Sequence, residues 1–301
     1  MTQATHEQKL RPVIEVQGLS RRYRAKIALD NVNLTVPPGC VFGLLGETGA
    51  GKTTLIRHLI GLLKPQKGTV RVLGRDPVKD PEGTLGCIGY LSEDRDLPRW
   101  MRIDELMRYT QGIYPHWDKA FADDFIERFD LDPSQKIKTL SRGQIAKTGL
   151  VTALAHRPDL LLLDEPSSGL DPVVRRHILT AVMRTVAEEG RTVLFSSHLL
   201  HEVESVADHV CVLHRGKIVL CDKLSNIIAN HRRFRVRFDQ PQSPAPVFEG
   251  ALGCEGDGRD WTVLCDGIAD KVRAQILSSG AKIIDETEPS LEDVFVALIR
   301  L

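Results

Sequence analysis

Gly46-Glu-Thr-Gly-Ala-Gly-Lys-Thr53 is the stretch that decides the fold of this chain. It fits the pattern G-x-x-x-x-G-K-[ST], and it lies between the apolar run 40–45 and a helical pattern over 51–63. Glycines at such a turn let backbone N–H groups converge on a phosphate, and the new helix adds the positive end of its dipole. The Lys52 ammonium can reach the β- and γ-phosphates, and the Thr53 hydroxyl can bind Mg²⁺. The predicted nucleotide-binding residues of this segment are Gly46, Glu47, Thr48, Gly49, Ala50, Gly51, Lys52, Thr53 and Thr54.

The composition excludes several other functions. The chain has 301 residues with 40 basic and 40 acidic side chains and a sequence pI of about 7.1, so no global field attracts nucleic acid. Its six cysteines are scattered and lack the two-residue spacing of a zinc or redox pair. Residues 1–11 are polar, and no later run approaches the roughly 20 apolar residues that span a bilayer. We expect a soluble, cytoplasmic enzyme that reaches a membrane only through a partner.

The hydrophobic pattern changes along the chain and predicts its organisation. Short β-like runs fill residues 13–45, whereas apolar residues recur at helical spacing from about 95 to 158. Leu160–Asp164 and Arg191–His198 are apolar runs of the kind expected for strands buried on both faces. We therefore predict an α/β domain with an N-terminal antiparallel β subdomain, a mostly parallel core sheet and a helical subdomain inserted at about 95–158.

The last quarter of the chain has a different pattern. The helical and strand signals break near Leu224–His231, and beyond this point come two strand-like runs and two short helical runs. The helical runs lie at Asp270–Ser278 and Leu291–Leu301. We predict an ATP-binding domain at 1–228 and a small α+β accessory domain at 229–301.

Two carboxylates end the predicted strand Leu160-Leu-Leu-Leu-Asp-Glu165. Open α/β sheets gather their ligands at the carboxyl ends of the strands, so these acids are expected to face the phosphate loop. Asp164 is suited to hold the Mg²⁺ shell, and Glu165 can polarise the water that attacks the γ-phosphate. A phosphate loop with two acids does not by itself distinguish kinases, GTPases and ATPases.

A third motif, Leu140-Ser-Arg-Gly-Gln144, makes that distinction. Ser141 and Gln144 have the S-x-x-Q spacing of a capping box at the start of a helix that reaches about His156. By itself this spacing would be a plain helix cap. Together with the other motifs, the sequence resembles the ATP-binding subunits of the ABC transporter superfamily, whose usual motif is LSGGQ, and the resemblance extends over about Val13–Leu224.

The resemblance implies a P-loop NTPase fold of the ABC type with ATP and Mg²⁺ as ligands. It further implies a second ATP-binding subunit, because in the family this motif closes over the γ-phosphate bound by the other member of a head-to-tail dimer. The residues expected to act across the dimer are Ser141, Arg142, Gly143, Gln144 and Asp171. One chain carries a complete set of site residues, so a homodimer is expected. Arg142 departs from the usual glycine, which removes backbone freedom and adds a positive charge near the phosphate.

Three further positions match the family in order along the chain. Asp171, in Ser168-Gly-Leu-Asp171, resembles the D-loop aspartate, which implies a part in signalling between subunits. His198 follows an apolar strand and resembles the switch histidine, which implies contact with the γ-phosphate. Tyr23 lies where the family usually has an aromatic ring stacked on adenine; the alternative is a tyrosine packed within a β-hairpin.

Glu93 is the second departure from the family. It stands where most ABC proteins carry the Q-loop glutamine, which touches Mg²⁺ and senses the permease. A carboxylate can still bind the metal, so the predicted Mg²⁺ ligands are Thr53, Glu93 and Asp164. The alternative is that Glu93 is a solvent-exposed loop acid.

The helical region is rich in aromatic residues, although aromatics make up only 5% of the chain. The resemblance implies that this subdomain forms a groove for a cytoplasmic helix of an integral membrane permease, and aromatic anchors suit such a groove. The alternative is that the rings belong to the core. The four rings are those of Trp100, Tyr109, Tyr114 and Trp117.

The end of the chain bears on the direction of transport. The run 288–299 resembles the ending of ATPase subunits from the ABC-2, exporter-like branch, whose permeases are separately encoded, and this favours export over import. A competing interpretation is a soluble ABC ATPase that acts as a mechanical switch without transport. A single cassette and a short segment between Lys52 and Leu140 argue against it. We expect a subunit that is peripheral on the cytoplasmic face of the membrane through its permease.

Overall fold

The computed structural model describes residues 11–300, apart from the side chains of residues 184–189 and 300. The polar N-terminal segment of the prediction lies almost entirely outside these residues. The chain divides into two compact units, Met1–Leu220 and Cys221–Leu301. This division falls ahead of the predicted boundary after residue 228. The residues where the sequence pattern breaks form helix α8 (Leu224–Asn230), which contacts strand β10 (His231–Arg237) of the second unit.

An antiparallel sheet opens the first unit. Strand β1 (Ile14–Tyr23) lies between β2 (Lys26–Val36) and β4 (Lys67–Val72) and pairs antiparallel with both. Alternate residues of β1 and β2 are buried in one hydrophobic core together with helix α1 (Lys52–Leu59). The β-rich entry predicted from the sequence is therefore this sheet.

The core sheet of the first unit has the strand order β5-β6-β7-β3-β8-β9, and its first five strands run parallel. Every residue of β3, β6 and β7 is buried, as expected for strands covered on both faces. In the register, Leu45 pairs with Ser197 and Asp164 with Ser196, so the carboxyl ends of these three strands meet at one edge. The strands are β3 (Val41–Leu45), β5 (Ile88–Leu91), β6 (Leu160–Asp164), β7 (Thr192–Ser197), β8 (His209–His214) and β9 (Lys217–Lys223).

Helices α1, α2 (Pro81–Leu85), α6 (Pro172–Glu189) and α7 (Leu200–Val206) connect these strands. Helix α1 ends at Leu59, earlier than the predicted end near residue 63. The chain leaves the helix through Gly61, whose φ is +74°, and the Leu63 carbonyl oxygen lies 2.8 Å from His58 Nδ1. A residue in this left-handed conformation does not continue an α-helix, and glycine adopts it without strain, so the turn at Gly61 ends α1.

The predicted helical subdomain consists of α3 (Ile103–Ile113), α4 (Lys119–Arg128), a 3₁₀ turn (Ile137–Thr139) and α5 (Arg142–Leu154). Phe121, Phe125 and Phe129 form a ladder of ring contacts along α4, with centroids 4.5 and 5.3 Å apart. The first unit thus has the predicted ABC-type architecture of antiparallel sheet, parallel core and helical insertion.

The second unit is a four-stranded antiparallel sheet of order β11-β12-β10-β13 with helices α8, α9 (Ala269–Ser278) and α10 (Leu291–Arg300). Its strands are β10 (His231–Arg237), β11 (Ala251–Asp257), β12 (Asp260–Asp266) and β13 (Lys282–Thr287). The sequence predicted β10 and β12 but missed the two edge strands. Neither edge strand contains a fully buried residue, so neither produces the apolar alternation that marks a strand. No helix within residues 11–300 has both the length and the apolar content needed to cross a bilayer.

Candidate functional site

The loop between β3 and α1 is a tight cradle of backbone groups. Gly49 and Gly51 have φ values of +84° and +116°, a region that side chains disfavour. A Cβ atom at Gly46 would lie 2.3 Å from the carbonyl oxygen of Leu213, and one at Gly51 would lie 2.4 Å from that of Ala28. Backbone geometry therefore requires all three glycines. Helix α1 begins directly after them at Lys52, so its first N–H groups belong to the loop.

Lys52, Glu165 and His198 form a chain of contacts at this edge of the sheet. Lys52 Nζ donates to the carbonyl oxygen of Gly46 at 2.6 Å and lies 3.0 Å from Glu165 Oε1. The other carboxylate oxygen, Oε2, is 2.7 Å from His198 Nδ1. Lys52 and Glu165 are only 6% and 5% exposed, whereas the His198 side chain is 43% exposed. The site thus joins a buried cation and carboxylate to an imidazole open to solvent.

Asp164 is held behind Glu165 at the end of β6. Its Oδ1 accepts a hydrogen bond of 2.7 Å from Ser196 Oγ, and the same hydroxyl oxygen accepts the Glu165 N–H at 2.9 Å. Burial raises the pKa of Asp164 above its ordinary value, although hydrogen bonds from Ser196 and Thr53 oppose the rise. Glu165 has a φ of +48°, so its backbone adopts a conformation that non-glycine residues rarely take.

The acidic end of the site fits a magnesium ion. Asp164 Oδ2 is buried and accepts no hydrogen bond of ordinary geometry from the described residues, so it is an unsatisfied buried acceptor. Within residues 11–300, no three His, Cys, Asp or Glu side chains are arranged to hold a metal on their own. Mg²⁺ commonly takes one or two protein ligands and completes its shell with water and substrate phosphates. The side chains of Thr53 and Asp164 therefore suit a metal that arrives with a nucleotide.

These groups open into a cleft of about 300 Å³. Its lining includes the phosphate loop, both predicted catalytic residues and Tyr23, whose side chain lies at the mouth and is 40% exposed. Gly46, Glu47 and Ala50 of the predicted nucleotide-binding set do not line it, and neither does Asp164. Glu47 lies 3.8 Å from His214, and Ala50 and Asp164 are buried. The lining residues are Tyr23, Lys26, Ala28, Thr48, Gly49, Gly51, Lys52, Thr53, Thr54, Glu93, Glu165, Ser168 and His198.

Glu93 lies at the acidic side of the cleft. Its pKa is raised above the ordinary value, first by desolvation and then by the charges of Asp164 and Glu165, while Lys52 lowers it. Glu93 is exposed, as the alternative of a solvent-exposed loop acid expects, but it also lines the cleft, so its role as an Mg²⁺ ligand stays a prediction. It adds a third carboxylate to the pair that ends β6.

Sequence reasoning missed several residues of the site. Arg95 donates through Nη2 to the carbonyl oxygens of Pro166 at 3.0 Å and Ser168 at 2.7 Å, and so braces the turn that follows Glu165. Lys26 lines the cleft beside Gly49. Neither residue belongs to a sequence motif that marks the site. A basic residue two positions after Glu93 was the available signal for Arg95.

The start of α5 is a separate, exposed element. Ser141 Oγ accepts the N–H of Gln144 at 3.2 Å, and Gln144 Oε1 accepts the N–H of Ser141 at 2.9 Å, which completes a capping box. Among the described residues that line the nucleotide cleft, none comes from 141–144. Arg142 instead lines a neighbouring cleft with Ser168 and Gly169. Asp171 caps α6 by accepting the N–H groups of Val173 and Val174 at 3.0 Å each.

Comparison with known proteins identifies the family. The ABC transporter family model matches residues 29–168. The uncharacterized ABC transporter ATP-binding protein YhcH of Bacillus subtilis (strain 168) is 32% identical over 246 residues, which cover 79% of this chain and 79% of YhcH. The bacitracin transport ATP-binding protein BcrA of Bacillus licheniformis is 30% identical over 300 residues, which cover 95% of this chain and 97% of BcrA. This chain belongs to the ABC transporter ATP-binding proteins.

Solved structures agree with this assignment. An ATP-binding subunit of an ABC transporter is 29% identical to this ABC protein, with a TM-score of 0.67 over 72% of this chain and 92% of that one. A dimeric ATP-binding cassette with bound ADP and Pi is 22% identical, with a TM-score of 0.64, and supports the fold. The predicted family, fold class and ligands are confirmed. The protein binds ATP with Mg²⁺ and hydrolyses ATP.

Proposed function

We propose that two copies of this chain bind MgATP between them head to tail, and that hydrolysis drives a separate membrane permease in the direction of export. The observation that carries the dimer is the position of the signature helix. Ser141 is exposed at the start of α5, while the lining of the chain's own nucleotide cleft, as described, omits 141–144. A helix start offers N–H groups and a positive dipole end to an anion. A second copy would bring this helix start to the phosphates.

Within each site, the residues divide the work. Lys52 and the N–H groups of the glycine loop hold the β- and γ-phosphates, Thr54 adds a contact to the α-phosphate, and Tyr23 stacks on adenine at the mouth of the cleft. Thr53 and Asp164, with Glu93 beside them, would hold Mg²⁺, which when bound would neutralise charge on the phosphates.

Glu165 is the general base, since its carboxylate ends a buried strand beside the phosphate loop. The 2.7 Å contact with His198 orients that carboxylate, and the exposed imidazole is free to reach the γ-phosphate. Asp171 and the residues Ser141, Arg142, Gly143 and Gln144 act across the dimer.

The permease assignment is supported by the surface of the helical subdomain. Trp100 and Tyr109 are 72% and 57% exposed. Large aromatic side chains with this exposure are characteristic of a surface that a partner protein covers. Tyr114, in contrast, stacks on His156 at 3.9 Å and belongs to the interior. Similarity to BcrA, a bacitracin transport protein, over nearly the whole chain favours transport over a mechanical switch without a permease. The protein would then sit on the cytoplasmic face of the membrane, with the C-terminal unit as an accessory domain.

The dimer is tested with Glu165→Gln. This variant keeps the size of the side chain but removes the base, so it should bind ATP, release phosphate at least about 100-fold more slowly, and accumulate as a dimer. Light scattering after gel filtration with and without MgATP measures the mass. Adding Ser141→Arg to the same variant places a large side chain at the helix start and should return it to a monomer while ATP still binds. Dimers that persist in the double variant, or turnover that survives Glu165→Gln, would overturn the proposal.

A further inference from the structure

Behind the nucleotide cleft, Glu202 is a carboxylate buried between several segments of the site. It lies in helix α7 and is 2% exposed. Its Oε2 accepts hydrogen bonds from Ser167 Oγ at 2.6 Å and from Ser197 Oγ at 3.1 Å. Its Oε1 lies 2.9 Å from Arg175 Nε, in an ion pair whose N–H is not aligned for a hydrogen bond. One side chain therefore ties three segments together.

Two of these segments carry the groups proposed to act on the γ-phosphate. Ser197 immediately precedes His198, and its hydroxyl oxygen also accepts the N–H of Leu199 at 3.0 Å. The Ser197 hydroxyl thus holds the turn that presents the imidazole and links it to Glu202. Ser167 is the second residue after Glu165, on the turn that follows the carboxylate. Glu202 joins the two turns from behind, while Glu165 and His198 meet directly in front at 2.7 Å.

The third segment leads toward the D-loop. Arg175 lies in the first turn of α6, where its backbone N–H bonds the carbonyl oxygen of Asp171 and its Nη2 lies 3.4 Å from that of Leu170. The same carboxylate that spans the Glu165 and His198 turns is therefore paired with a residue that holds the chain around Asp171.

Stability alone does not explain a carboxylate in this place. A buried charge costs several kcal/mol unless it is well paired, and hydrophobic replacements of buried ion pairs are often neutral or stabilising. Among the described residues, Glu202 has two hydroxyl donors and one cation, Arg175, whose Nε–H is misaligned and whose side chain is 26% exposed. The arrangement suits a group that fixes geometry. We propose that Glu202 is a positioning residue that holds the His198 turn against the Glu165 turn, so that the imidazole and the general base stay in contact during ATP hydrolysis.

This inference rests on the proposed roles of Glu165 and His198, and its test separates the two. Glu202→Gln keeps the shape of the side chain but replaces the charge and one acceptor oxygen. We expect kcat to fall about tenfold with little change in the KM for ATP, because none of the groups that Glu202 binds is among the described residues that line the nucleotide cleft. The matched control is Glu127→Gln, on the exposed side of α4, which should leave kcat and KM as they are.

A double-mutant cycle distinguishes positioning from general destabilisation. If Glu202 acts through His198, then Glu202→Gln combined with His198→Ala should be no slower than His198→Ala alone. Losses that multiply would overturn the inference, because they would show that Glu202 acts independently of the imidazole. If His198→Ala by itself leaves kcat unchanged, the proposed role of His198 fails first and this inference fails with it.

Ser197→Ala covers the case in which Glu202→Gln does not fold. This variant retains the Glu202 charge and its pair with Arg175, and it removes the link to the His198 turn together with the acceptor of the Leu199 N–H. It should lower kcat about tenfold as well, with the same dependence on His198. An unchanged kcat in a folded Ser197→Ala protein would overturn the proposal.

Discussion

The nucleotide cleft buries most of its functional groups, whereas the helical subdomain exposes them to solvent. In the cleft, Lys52, Asp164 and Glu165 are at most 6% exposed, and each side chain contacts other groups of the same chain. In the helical subdomain, Ser141 and Gln144 cap each other at an exposed helix start, and Trp100 is 72% exposed. The core builds a site within one chain, whereas the subdomain presents groups to other molecules.

The difference follows from the elements that carry the groups. Strands β3, β6 and β7 are buried on both faces, so whatever follows them is delivered to one desolvated edge, where charges interact strongly. Helix α5 buries its middle against β5 and α4 and leaves its first turn at the surface. The parts of an ATPase that must be rigid are thus placed on the sheet, and the parts that must meet a partner are placed at a helix end.

The largest effect is expected when a buried charged residue of the nucleotide cleft is replaced. Lys52→Ala removes the cation that contacts the Gly46 carbonyl and Glu165, and leaves the buried Glu165 carboxylate without that cation. Turnover should fall at least about 100-fold, because the γ-phosphate loses a preorganised charge. Phosphate release measures the loss, and fluorescent ATP measures the accompanying fall in affinity. Lys64→Ala, at an exposed lysine after α1, should change neither, and a Lys52→Ala protein with normal turnover would contradict the geometry described.

An intermediate effect is expected when an exposed residue of the helical subdomain is replaced. Trp100→Ala should leave basal ATP hydrolysis within twofold, since the ring lies outside the nucleotide cleft, and should weaken the permease-stimulated rate or permease binding about tenfold. The measurement is ATPase activity with and without the permease in the same membrane preparation. Leu62→Ala removes another exposed apolar side chain, at 68% exposure, and serves as the control. A loss of basal and stimulated activity together would count against a docking role.

How far the sequence predicts this molecule depends on the same contrast. The cleft was predictable because its residues sit at strand ends in fixed order: Lys52 after β3, Asp164 and Glu165 after β6, and His198 after β7. Contacts between residues that are far apart in the sequence were not predictable. Arg95 braces the turn after Glu165 across 70 residues or more of chain, and Glu202 reaches Ser167 across 35. Neither pairing leaves a periodic or spaced pattern, so only the folded chain shows it.

The smallest effect is expected at Glu93, where the two regions adjoin. Burial and the charges of Asp164 and Glu165 raise the pKa of Glu93 in the folded protein, so its ionised form costs stability. That cost is absent below the ordinary glutamate pKa, grows as the pH rises toward the raised value in the folded state, and is complete above it. Glu93→Gln should therefore raise the free energy of unfolding of the nucleotide-free protein at pH 7 by roughly 0.5 kcal/mol or less, because the group is exposed enough for solvent to screen it.

Chemical denaturation at pH 7 and pH 4.5 measures the difference. Asp96→Asn, at an exposed acid in the same segment whose charge is not among those that raise the pKa of Glu93, should show no such gain. If the gain in free energy of unfolding from Glu93→Gln instead increased as the pH falls, the folded protein would stabilise the ionised form of Glu93. Glu93 would then group with the exposed residues of the helical subdomain and not with the buried carboxylates of the cleft.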